Sequence, residues 1–131
     1  MRLLLDTHIL LWGLSDDRRL NKPTREIIVN PNNEVFVSAA SIWEIAIKAS
    51  LGRIDVEVED LDAAIADAHF QALPITFSHA VMAGRLPAVH RDPFDRMLVA
   101  QAGVEELRIV THDRIFERYS LSAQGLPPII V

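Results

Sequence analysis

Four short stretches put acidic side chains where they could act together: Asp6 in LLLDTH, Glu44 in SIWEIAIK, Asp92 and Asp95 in HRDPFDR, and Asp113 in VTHD. Asp6 ends an apolar run and Asp113 follows another. Glu44 and Asp95 sit near the starts of segments with helical spacing. In a parallel α/β sheet all four positions fall at the carboxyl edge of the strands, where such folds open their ligand crevice. Carboxylates crowded on one edge repel each other, and a low-dielectric crevice strengthens that repulsion. A divalent cation removes the penalty. An all-oxygen set without cysteine favours Mg²⁺ or Mn²⁺ over zinc.

Taken singly, each acid has a plainer role. Asp6 can cap a helix starting at Thr7. Ser41 and Glu44 fit the S-x-x-E capping box. Asp92 before Pro93 is a good N-cap with Asp95 three residues on, and Asp113 can cap the helix that follows it. An acid in a first helical turn gains about 0.3–1 kcal/mol from the helix dipole without any further function. Only the joint pattern points to chemistry.

The elements that must position these acids follow from patterning. RLLLD, EVFVS, ALPIT, LRIVT and PPIIV read as strands, being short apolar runs rich in branched residues. THILLWGL, SIWEIAIKASLG, DLDAAIADAHFQ, SHAVMAGRL, DPFDRMLVAQAGV and DRIFERY carry helical spacing. DDRRLNKPTREIIVN reads as helical too, with Pro23 either breaking it or marking a second start. The resulting order, β-α-α-β-α-α-β-α-α-β-α-β, argues for a mainly parallel sheet with right-handed crossovers and helices on both faces.

Totals bound the rest. The chain has 131 residues, half of them hydrophobic, which suits one compact domain over 1–131. The absence of cysteine excludes disulfides, thiolate zinc sites and a cysteine nucleophile, and fits a reducing compartment. No apolar run approaches the roughly 20 residues of a membrane span, so the chain reads as cytoplasmic. A net charge of −5 argues against a generic basic nucleic-acid binder, unless metal ions hold the phosphates.

LLLDTHILLW, VFVSAASIWEIAIKASLG, HRDPFDRMLVAQA and IVTHDRIFERY, in that order, resemble the successive motifs of the PIN domain, and more narrowly those of VapC-type toxins of bacterial toxin–antitoxin pairs. The resemblance runs from residue 3 to residue 119. It implies a three-layer α/β/α fold around a sheet of about five strands. It also implies an endoribonuclease dependent on Mg²⁺ or Mn²⁺ that leaves 5′-phosphate and 3′-hydroxyl ends. By motif, Asp6, Asp95 and Asp113 correspond to metal ligands, and Glu44 to the acid that orients the nucleophile. Thr7, Asp92, Arg96 and Thr111 take supporting places, Thr111 as the hydroxyl beside the last acid. A VapB-like antitoxin, RNA, and a homodimer or toxin–antitoxin hetero-oligomer are the implied partners.

Some assignments stay open. Asp92 and Asp95 compete for the ligand role. His8 and His112 read as surface or supporting groups. Arg96 fits a phosphate contact or a salt bridge to a neighbouring acid, and Lys48 an i,i+4 pair with Glu44. Arg18, Arg19, Lys22 and Arg25 read as a solvated helix face, and Trp12 and Trp43 as core or interface packing. The alternative to an enzyme is a catalytically silent PIN-like module that binds RNA or protein. A phosphatase is disfavoured, because it would need a second Asp at position 8, where this chain has His8.

Overall fold

The computed structural model describes residues 1–88, 91–121 and 126–131. His90, the first residue of the HRDPFDR motif, lies outside the described residues. The expected order of elements is the observed one. β1 (Arg2–Leu5) leads into α1 (Thr7–Leu14) and α2 (Lys22–Val29). β2 (Glu34–Ser38) leads into α3 (Ala39–Ser50), a 3-10 turn (Val58–Asp60) and α4 (Leu61–Asp67). β3 (Gln71–Leu73) precedes α5 (Phe77–Arg85) and α6 (Pro93–Glu105). β4 (Arg108–Thr111), α7 (Ile115–Leu121) and β5 (Ile129–Ile130) complete the order.

The five strands form one sheet in the order β3-β2-β1-β4-β5, and every pairing is parallel. Alternation along the strands divides the core between two faces. Leu3, Leu5, Val35, Val37 and Val110 pack with Ile9, Leu10, Ile45, Leu61 and Ile65 from the helices preceding β3. Leu4 and Ile109 face the other way and pack with Leu98, Val99, Phe116 and Tyr119 from α6 and α7. Helices on both sides of a sheet whose strands are buried on both faces make the three-layer α/β/α arrangement. Among the described residues no helix is long and apolar enough to cross a membrane.

Three local expectations are revised. α2 starts only at Lys22, with the Asn21 side chain accepting from Thr24 N at 3.0 Å, so Pro23 marks a start and the charged residues before it form a loop. α3 starts at Ala39, capped by Ser38 Oγ accepting from Ala40 N at 3.0 Å. Ser41 and Glu44 therefore form no capping box, and Glu44 lies in the second turn rather than opening the helix. α4 is shorter than DLDAAIADAHFQ suggests, because the chain turns at His69, whose φ of 61° is left-handed.

The order of strands decides where a site can form. From β1 the chain moves outward through β2 and β3, then returns to the other side of β1 for β4 and β5. β1 and β4 therefore flank the point where the winding reverses. Their carboxyl ends diverge into helices on opposite faces and leave a crevice between them.

Candidate active site

Asp6 stands at that crevice. Its amide continues the ladder by donating to Val110 O at 3.0 Å, which sets it beside the end of β4. Its carboxylate caps α1, accepting from Ile9 N at 2.9 Å through Oδ1, and accepts from Thr111 Oγ1 through Oδ2. Thr111 Oγ1 in turn accepts from Asp113 N at 3.0 Å. One buried hydroxyl thus links the first acid to the last. Burial pushes the Asp6 carboxyl above its ordinary value of 3.8; the hydrogen bonds from Thr111 and Ile9, the charge of His8 and the backbone of His112 offset this only in part.

Glu44 reaches the same place from α3. It is buried, and both carboxylate oxygens are engaged. Oε1 accepts from Thr7 Oγ1 at 2.7 Å, and Oε2 pairs with Lys48 Nζ at 2.7 Å. Ser41 Oγ lies 3.0 Å from Thr7 Oγ1. Lys48 therefore makes the i,i+4 pair expected of it, in a setting drier than an exposed helix face.

At the start of α6, Asp92 is the N-cap. Its Oδ1 accepts from Phe94 N at 2.8 Å and Asp95 N at 3.1 Å, with Pro93 in the first helical position. Asp95 follows in the first turn and is half-buried. Asp113 is exposed, and its Oδ1 accepts from Ile115 N at 3.0 Å at the head of α7.

The plain capping roles of Asp6, Asp92 and Asp113 are therefore real, and they coexist with convergence. Asp6, Glu44, Asp92, Asp95 and Asp113 line one cavity of about 220 Å³, together with Thr7, His8, Lys48 and Phe116. Five carboxylates face one ammonium there, so the cavity is a strong attractor for cations. Among the described residues, no three His, Asp or Glu side chains stand close enough together to hold a metal ion as they are placed. The donors instead border an open space with all-oxygen chemistry. That suits an ion which keeps its own waters and takes up phosphate better than one locked in a protein cage.

Arg96 ties two helices together. Its guanidinium donates to the carbonyls of Ala83 at 2.9 Å, Pro87 at 3.0 Å and Leu86 at 3.1 Å, binding α6 to the end of α5. These bonds give Arg96 a packing role alongside the two left open in the sequence, a phosphate contact and a salt bridge to a neighbouring acid. Of the two tryptophans expected in core or interface packing, Trp12 is buried, and Trp43 is 62% exposed and meets Phe94 edge-on at 5.3 Å. Sequence reasoning assigned Ser41 to a cap and passed over Phe116. The spacing of Ser41 and Glu44, three apart on one helical face, could have placed Ser41 near the site.

A parallel sheet in this order, with acids at the ends of its middle strands, defines a class, and sequence comparison names it. The PIN domain family profile matches residues 3–121, and the chain belongs to that family. Ribonuclease VapC22 of Mycobacterium tuberculosis is 33% identical over 114 residues, which cover 85% of this chain and 86% of that protein. Among solved structures, a chain of VapBC2 from Rickettsia felis, bound to a DNA fragment from its promoter, superposes with a TM-score of 0.70 at 15% identity, covering 100% of this chain and 98% of its own. A chain of the toxin–antitoxin system VapBC-5 from M. tuberculosis gives 0.63 at 18% identity, covering 99% and 98%. At these identities the solved structures show a shared fold.

Proposed function

We propose that this protein is a Mg²⁺-dependent endoribonuclease, with Mn²⁺ able to substitute. In this reading it is the toxin of a toxin–antitoxin pair, held inactive by a cognate VapB-like antitoxin, and the whole chain 1–131 is one cytoplasmic PIN domain. The observation that carries the reading is the convergence of Asp6, Glu44, Asp95 and Asp113 on one cavity at the reversal point of the sheet. The likeness to Ribonuclease VapC22 supports ribonuclease chemistry, and the fold shared with chains of VapBC complexes supports the antitoxin partner. A homodimer or a toxin–antitoxin hetero-oligomer is the assembly this reading expects.

The donor chemistry, all carboxylate oxygen, suits the ion. Asp6, Asp95 and Asp113 are the residues that would hold it, and buried Asp6, which has only neutral hydrogen-bond donors and His8 to offset its desolvation, has most to gain. A bound divalent cation neutralises phosphate charge and makes a water more acidic. The chain's own residues do the rest. Glu44, fixed by Thr7 and Lys48, orients the attacking water towards phosphorus. Asp92 and the first turn of α6 hold Asp95 at the cavity wall. The new bond joins water oxygen to phosphorus and the P–O3′ bond breaks. The 3′ oxygen takes a proton, leaving 5′-phosphate and 3′-hydroxyl ends.

End-mapping of cellular RNA after brief induction tests this, with Asp6→Asn as control. Mg²⁺-dependent cuts bearing 5′-phosphates are expected with the unaltered protein and none with the variant. Equal cutting by Asp6→Asn would overturn the assignment. RNA binding without any cutting would favour a silent binding module.

A further inference from the structure

Beside the acidic cavity lies a second one of about 370 Å³, and the two share Thr7, His8 and Lys48. Its lining is apolar at Leu11, Ile45 and Ile54, and its rim carries Arg19. That arginine is pinned. Asp17 accepts from its backbone N–H at 2.9 Å, from Nε at 3.1 Å and from Nη2 at 2.7 Å. The guanidinium lies 4.9 Å from the ring centre of Trp12, and Trp12 is braced edge-on by His112 at 5.3 Å. The loop itself is fastened. Asp16 adopts a left-handed φ of 54°, and Arg25 bonds the Asp16 carboxylate, the Asp17 carbonyl and, at 2.8 Å, the Leu20 carbonyl. The bonds from the Arg19 side chain and backbone hold the Asp17 carboxyl down at about 2, so the clamp persists across the physiological range.

A surface arginine ordinarily samples many rotamers. This one has lost that freedom before any ligand arrives, yet its side chain is 67% exposed. The outcome is a flat cation with one face on Trp12, one edge on Asp17 and the other face open at the second cavity, which shares three lining residues with the acidic one.

We propose that Arg19 is a shelf on which one unpaired base of the RNA substrate stacks, next to the phosphodiester being cut. The inference rests on the ribonuclease reading and concerns how the strand is held. Three observations carry it. The cavity has the size of a small-ligand site and continues into the acidic one. Unpaired RNA bases are commonly held by stacking on aromatic rings or guanidinium planes. And a chain of net charge −5 gains little from a phosphate track, so stacking supplies affinity that charge does not. A peptide carboxylate would have to compete with Asp17 for the guanidinium edge, whereas a base needs only the free face.

The probe is a mixed-sequence single-stranded RNA carrying 2-aminopurine, bound in Mg²⁺ to Asp6→Asn protein so that it stays uncut. Binding should quench the fluorophore at a subset of positions. Arg19→Ala and Arg19→Lys should each weaken binding roughly five- to a hundredfold and abolish the quenching, because lysine keeps the charge and loses the plane. Both variants are first checked for an unchanged melting profile, and Arg19→Lys keeps the test valid if the alanine variant folds poorly. If Arg19→Lys binds and quenches like its parent, the contact is a charge contact and the shelf is refuted. The shelf is equally refuted if both variants bind RNA normally, including the case where they lose only an antitoxin peptide. Failure of the underlying reading shows separately, as no RNA cleavage by the unaltered protein.

Discussion

At the scale of single residues, Asp6 carries opposing demands. The fold needs its side chain to cap α1 and meet Thr111, and burial makes the ionised form costly. Because its native value lies above 3.8, the folded chain holds this proton more tightly than the unfolded one. Its contribution is therefore fully favourable below 3.8 and is lost as pH rises through the native value. In metal-free protein, Asp6→Asn should melt a few degrees above wild type at neutral pH, and the gap should close in acid. Thermal melts in chelator across pH check this; a lower melting point for Asp6→Asn at neutral pH would contradict it. Thr111 makes a second test. Thr111→Val leaves Asp6 Oδ2 and the Asp113 amide without their partner, at a cost of about 1–3 kcal/mol. Thr111→Ser should retain most of the stability, as read by denaturant midpoints. The acids stood out in the sequence because Asp6 and Asp113 follow patterned apolar runs, while Glu44 and Asp95 sit early in segments of helical spacing. The bonds between them did not. That Thr7 reaches Glu44, 37 residues away, depends on how α1 and α3 pack.

At the scale of elements, α6 divides its labour between neighbours. Asp92 shapes the start of the helix and Asp95 presents a carboxylate to the cavity. Asp92→Ala should cost about 0.5–2 kcal/mol of stability, with Asp92→Ser recovering most of it. Asp95→Asn should leave the melt nearly unchanged and remove cleavage. The reverse outcome, with Asp92→Asn inactive and Asp95→Asn merely unstable, would exchange the two roles. Strands and most helices were readable from periodicity, because burial on one face leaves a local trace. The charged loop before α2 was misread as helix because Leu20 stands at helical spacing from Ile27 and Ile28, although α2 starts only at Lys22. What they do instead is tertiary: Arg25 fastens the loop and Arg19 lies over Trp12. Arg96 was unreadable for the same reason, since its carbonyl partners lie in and just after another helix.

At the scale of the whole molecule, sheet order and charge act together. The sheet gathers five carboxylates on one cavity, and the protein pays for that crowding when no cation is present. Mg²⁺ should therefore raise the melting temperature, by the equivalent of about 2.7 kcal/mol at a hundredfold excess over its Kd. The increase should vanish in Asp6→Asn. Calorimetry with and without the ion decides it, and an equal shift in both proteins would count against the proposed ligands. The class of fold was legible at this scale because alternating strands and helices admit few topologies. The exposure of Trp43 was not, because apolar helical spacing does not reveal which face is covered.

The bond between Thr111 and Asp6 joins positions 105 apart in the chain, and it forms only when β4 docks against β1. During synthesis Asp6 and Glu44 emerge early, yet the hydroxyl that orients Asp6 and the acid that completes the cavity come only after residue 110. A growing chain thus carries an incomplete site until residues 111–113 are free to fold, and contacts of such long sequence separation are slow to close. The topology makes the cavity a late product of folding: its full set of acids comes together only in a chain that has already paired β4 with β1.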